Sequence, residues 1–154
     1  MNYILDDSAE RIDFEAVWSF LSTTAPWHRW RSRDQVRQQV ESAWRVVGVY
    51  EEASGAQVGF ARAVSDGVCD AYLADVYVLE EHRGHGLGKA LVNRMVDGGP
   101  GAHFRWTLFT AGAHGLYEHN GFSVPNQTAM VRPGRFPAPA PAPSARPHQD
   151  EPVV

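Results

Sequence analysis

The chain has a single cysteine, Cys69, among 154 residues. One thiol excludes an intrachain disulfide and a cysteine-built zinc cluster. Its place in or just before an apolar run predicts a buried, inert side chain. No apolar stretch approaches the roughly 18 residues of a membrane-spanning helix. The opening MNYILDDSAERID carries acids where a secretory leader would carry bases. A soluble, cytoplasmic protein with no membrane partner is expected. Charge of one sign is also lacking: 14 bases against 18 acids give a formal net charge of −4, which argues against broad nucleic-acid binding. No G-x-S-x-G element is present to suggest a serine hydrolase.

Proline is sparse until the end of the chain. Seven of the ten prolines fall in the last 22 residues, and Pro alternates with Ala from Pro137 to Pro143. Proline fixes φ and removes a donor, so that stretch cannot be helical. The reading is a folded domain over residues 1–132 followed by a Pro/Ala-rich tail, 133–154, that is disordered or acts as a spacer. A domain of this length can bury roughly 70% of its unfolded surface.

Within the domain, the periodicities predict an order of elements. A short strand at Asn2–Leu5 precedes a helix over Asp13–Ser22. A second helix over Arg33–Ala43 opens with a capping box, Ser32 and Gln35. Strands follow at Arg45–Glu51, Gln57–Val64 and Ala71–Leu79, the second with Val58, Phe60 and Val64 on one side. A helix over Leu87–Val96, a strand at Phe104–Phe109, a helix at Ala113–His119 and a strand or strand pair over Phe122–Val131 complete the set. The fold class is α/β (α+β): a mixed central sheet of about six to seven strands flanked by helices.

The most informative stretch is Asp75 to Leu91, DVYVLEEHRGHGLGKAL. An apolar strand ends in glycines that run straight into a helix. Glycines there let backbone approach a ligand, and the free N–H groups of a first helical turn favour an anion. The nucleotide P-loop does not fit, because Arg83 stands where its first glycine belongs and Ala90 where Ser or Thr belongs. The dinucleotide fingerprint does not fit either, since its third glycine would fall at Lys89.

The spacing that fits is V-x-P-x-x-R-G-x-G-[IL]-G, met here by Val78 through Gly88 with Glu80 in place of the proline. About 30 residues on, Leu116-Tyr117-Glu118-His119-Asn120-Gly121-Phe122 is similar to L-Y-x-x-x-G-F. By these two motifs the chain resembles the GNAT (GCN5-related) N-acetyltransferase superfamily. The resemblance implies acetyl-CoA as cofactor and acetyl transfer directly to a primary amine, with a small-molecule acceptor favoured. It implies that backbone groups of Val76, Tyr77 and Val78 lie beside the pantetheine and thioester. Arg83, Gly84, His85, Gly86, Leu87, Gly88 and Lys89 would hold the pyrophosphate. Thr110 stands where many members carry a cofactor-binding Asn. Tyr117 takes the family's general-acid position, protonating the leaving thiolate.

Asp75, a carboxylate in an apolar strand, is a candidate general base, or else a tie that holds neighbouring loops by accepting their backbone N–H bonds. The run Leu73-Ala74-Asp75-Val76-Tyr77-Val78 is similar to the L-E-D-F-F-V of diamine acetyltransferases, with Ala74 at the position of their acid. On the acceptor side the resemblance points to Trp27, His28, Trp30 and Arg31. Indoles could stack on a ring or face a cation, and arginines could fix a carboxylate or phosphate. His82 and His85 beside Glu80 and Glu81, and His114 with Glu118 and His119, do not match H-E-x-x-H, so no metal is expected. Many family members dimerise, and a homodimer is compatible with the chain. Two alternatives stand beside the enzyme reading: a non-catalytic acyl-CoA-binding regulatory module, and a protein or peptide N-terminal acetyltransferase.

Overall fold

Apolar alternation through the middle of the chain resolves into a sheet whose two faces collect different helices. The computed structural model describes residues 1–137. In chain order the elements are β1 (Tyr3–Asp6), α1 (Phe14–Thr23), α2 (Arg33–Glu41), β2 (Arg45–Glu51), β3 (Gln57–Ser65), β4 (Asp70–Val78), α3 (Leu87–Met95), β5 (Arg105–Thr107) and α4 (His114–Glu118). Asp13 caps α1 by accepting from the Ala16 N–H, and Ser32 and Gln35 close the expected capping box on α2.

The sheet runs β1-β2-β3-β4-β5, antiparallel except for the parallel β4–β5 pair. One face carries Val47, Val49, Leu73, Val76 and Val78 against Leu87, Leu91, Val92 and Met95 of α3. The other carries Val46, Phe60 and Tyr77 against Val17, Phe20 and Leu21 of α1 and Val36 of α2. The Phe20 and Tyr77 rings stack there, with centroids 3.8 Å apart.

Two irregularities set which side chain faces which layer. On β3 the ladder passes from Gly59↔Val49 to Gln57↔Tyr50, so Val58 is an extra residue. It joins the α3 face while Phe60 joins the other, and Val64 is 49% exposed. The expected single side for Val58, Phe60 and Val64 is corrected accordingly. On β4 the ladder passes from Tyr77↔Phe60 to Ala74↔Arg62, again one residue long. Asp75 occupies that bulge with φ +52°, a left-handed conformation that Asp tolerates better than most residues.

Among the described residues the sheet has five strands rather than six or seven. The strand or strand pair expected at Phe122–Val131 does not form. Pro125 interrupts that stretch and Pro133 follows it, Asn126 Oδ1 accepts from the Thr128 N–H at 3.0 Å to make a local turn, and Val124, Met130 and Val131 are exposed. Residues 133–137 are exposed and belong to no element; the rest of the expected tail, 138–154, lies outside the described residues. No helix among the described residues is long and apolar enough to cross a membrane.

Candidate active site

The opening that positions the site comes from a parallel ladder that stops early. β5 pairs with β4 only from Asp70 to Tyr72, and among the described residues no strand continues beside Leu73–Val78 on that side. The Leu79 N–H bonds Val58 O on β3 at 2.8 Å. Strand alternation therefore turns the Val78 N–H and carbonyl to the open side, where Val78 O accepts from Arg83 Nε at 3.1 Å.

Past Val78 a 3-10 turn over Glu80–His82 leads into the glycine loop. Gly84 and Gly86 have φ of +80° and +73°, and a Cβ on either would point into open space. Gly86 is the N-cap of α3 and offers no side-chain acceptor, so the first-turn N–H groups keep no cap. A bare N-terminus on a nine-residue helix, approached by two left-handed glycines, is a fitting cradle for a pyrophosphate. Leu87 is buried beneath it, while His85 and Lys89 are exposed beside it. His82 Nδ1 lies 3.0 Å from the Tyr3 hydroxyl, a contact from β1 that no sequence spacing foretold.

Tyr117, on α4, is buried with its ring edge-on to Phe122, centroids 5.9 Å apart. No hydrogen bond reaches its hydroxyl from the described residues, and burial pushes its pKa up to about 12. The phenol is thus a proton carrier that stays protonated at neutral pH. Thr110 accepts from the Ala113 N–H at 3.1 Å, a local tie that opens α4 and leaves its own proton free to donate.

Asp75 stands where β4 bulges toward α1 and α2. Its Oδ1 accepts from Trp27 Nε1 at 2.9 Å and Arg31 Nη2 at 3.0 Å. Its Oδ2 accepts from Arg31 Nη1 at 2.9 Å and Arg62 Nε at 2.6 Å. Burial alone would raise its pKa, but the hydrogen bonds from Arg31 and the charge of Arg62 outweigh that and hold it at about 2. Four donors and so low a pKa argue against Asp75 as general base; the arrangement suits a tie that fixes the loop between α1 and α2, made by side-chain donors and not by the expected backbone N–H groups. The ionised carboxylate stabilises the fold fully above its unfolded pKa of 3.8, and that stabilisation is lost as pH falls through about 2. Urea midpoints at pH 7, 4, 3 and 2 check this: the gap between the natural chain and an Asp75→Asn variant should be widest at pH 7 and narrow toward pH 2.

The acceptor-side expectations divide. Trp27 and Arg31 belong to the tie. Arg31 is 5% exposed and also donates to His28 O at 3.1 Å and Gln39 Oε1 at 2.7 Å. It is corrected from substrate anchor to loop anchor. His28 and Trp30 remain at the surface side of the loop, His28 with φ +47°. Phe136 lies on them, stacked on Trp30 at 4.4 Å and edge-on to His28 at 5.3 Å. Sequence reading missed Phe136, Gln39 and above all Arg62, whose single signal was a base in an apolar strand.

Cys69 is exposed, not buried. Its thiol donates to Asp70 at 3.3 Å and Asp66 at 3.5 Å, which pushes its pKa up to about 11 and leaves it a poor nucleophile.

The domain profile "Acetyltransferase (GNAT) domain" matches residues 43–124. A GNAT-family acetyltransferase structure from Xanthomonas campestris pv. campestris is 31% identical, with a TM-score of 0.79 over 87% of this chain and 94% of that one. The chain belongs to the GNAT acetyltransferase family. This GNAT protein also shares its fold with an acetyltransferase structure from Deinococcus radiodurans R1, TM-score 0.65 at 20% identity over 84% and 88% of the two chains. Over 47 residues it is 45% identical to a Gibberella zeae protein named for acetyltransferase activity. That stretch is 29% of this GNAT chain and 27% of the fungal one, so the match spans about a quarter of that curated relative. The α+β GNAT fold and an acyltransferase assignment follow from family membership.

Proposed function

We propose that this protein transfers the acetyl group of acetyl-CoA directly to a primary amine of a small molecule. The observation that carries the reading is the pairing of an uncapped helix N-terminus at Gly86 with a β4 edge left open beyond Tyr72. Bound there, acetyl-CoA supplies an activated acyl thioester. The first-turn N–H groups of α3, with Arg83 and Lys89 alongside, hold the pyrophosphate. The open edge at Val76–Val78 aligns the pantetheine as a strand partner would. The Val78 N–H, turned to the open side, would be the donor for negative charge on a thioester oxygen held there. Tyr117 holds a proton at Oη for the departing sulfur. Asp75 keeps the His28–Trp30 loop in place and moves no proton, so the acceptor amine enters neutral or loses its proton to solvent. A lone cysteine is at home in a reducing, cytoplasmic setting.

The test is amine-dependent thiol release from acetyl-CoA over polyamines, aminoglycosides, arylamines, amino acids and short peptides. Release with one small-molecule class supports the reading, and release with peptides alone redirects it to N-terminal acetylation. Tight acetyl-CoA binding with no release from any amine would replace it with the binding-module reading. The cradle has its own prediction. Gly86→Val forces a β-branched side chain to φ +73° and fills the approach to the helix end. Coenzyme A affinity, measured by calorimetry, should fall by about tenfold or more.

A further inference from the structure

Arg31, Arg62 and Asp75 are 5%, 6% and 7% exposed. Two guanidiniums face one carboxylate, so the cluster keeps a surplus positive charge. Arg31 spends its donors on Asp75, Gln39 and His28 O. Arg62 spends only Nε. Among the described residues no hydrogen bond reaches its Nη1 or Nη2, and neither is one of the buried polar atoms left without a partner. Among the described residues Asp75 is the one acid that pairs with either guanidinium. Arg62 sits opposite Ala74 in the β3–β4 ladder, on the face that carries Asp75 and the acceptor loop. Buried cations are retained where an anion meets them, and a free guanidinium fork matches the geometry of a carboxylate or phosphate.

We propose that Arg62 is the acceptor-side anion anchor: the amine this protein acetylates also carries a carboxylate or phosphate group, held by the free Nη fork. This rests on the amine-acetyltransferase reading and narrows its substrate class. The anchor differs from the pyrophosphate cradle in place and in kind, being a side-chain fork on β3 rather than backbone at α3.

Matched amines test it, each anionic member against its neutral partner: phenylalanine against phenethylamine for the carboxylate arm, O-phosphoethanolamine against ethanolamine for the phosphate arm. Binding is read by tryptophan fluorescence and turnover by thiol release. The expected result is at least a tenfold preference for the anionic member of one pair, falling to within about twofold in Arg62→Gln. Arg62→Lys keeps a cation on Asp75, so it should fold if the glutamine variant does not, and it too should lose most of the preference. Indifference to the anion in both pairs overturns the proposal, and so does a preference that survives in Arg62→Gln or Arg62→Lys. An Arg62-dependent binding preference without any thiol release would uphold the anchor and defeat amine transfer, so the two failures are separable.

Discussion

Tyr117→Phe is expected to lower kcat by about 10²–10⁴-fold, the usual worth of a positioned general acid, with little change in stability or in KM for acetyl-CoA. The hydroxyl has no hydrogen bond among the described residues, so its removal strands no partner. The ring, packed edge-on to Phe122, is retained by phenylalanine. What disappears is a proton held at a pKa near 12. A thiolate leaving group needs that proton; a better leaving group does not. The loss should therefore shrink when the acetyl donor is an aryl thioester, whose thiolate departs unaided. An unchanged kcat with acetyl-CoA would remove Tyr117 from the mechanism. An equal loss with both donors would make it a packing residue.

Asp75→Ala should be the most damaging single change to the fold, costing about 3–5 kcal/mol, because it leaves two buried guanidiniums facing each other without their carboxylate. For a domain of this size that corresponds to a fall in melting temperature of roughly 10 °C or more. Alanine also disfavours the φ of +52° that Asp75 adopts. Asp75→Asn keeps the shape and tolerates that φ, so it should be milder. Calorimetry and urea unfolding give the stability; the pH–rate profile decides the chemistry. If Asp75 only ties the loop, the folded fraction of Asp75→Asn keeps the ascending limb of the natural protein. Loss of that limb in a stable variant would restore Asp75 as the base.

Much of the frame was legible because local chemistry and tertiary packing agreed. The Ser32–Gln35 box, the apolar run of β4 and the glycines before α3 each carry their signal within a few residues. The paired motifs around Arg83 and Tyr117 carried the family resemblance for the same reason. What could not be read was settled between distant segments. Whether Asp75 would be a base or a tie depended on Arg31 and Arg62 arriving 44 and 13 residues away. Cys69 looked like strand interior, yet it turns outward at the tip of the β3–β4 connection. The stretch after Phe122 has strand-like residues, but it has no ladder neighbour among the described residues and two prolines against it. Bulges are invisible to a period-two reading, which is why Val58 was assigned to the wrong layer.

The bulge at Asp75 makes β4 asymmetric toward evolutionary change. The extra residue places Ala74 and Asp75 on one face and returns Val76 and Val78 to the α3 layer. Loss of that residue would leave Ala74 and Val76 in plain alternation, so Tyr77 would keep its stack on Phe20 and the valines their layer. The damage would fall on Arg31 and Arg62, left without their carboxylate. The sheet could be built from a regular strand, so the bulge serves the ion cluster, and lineages that lose residue 75 should replace both arginines with it.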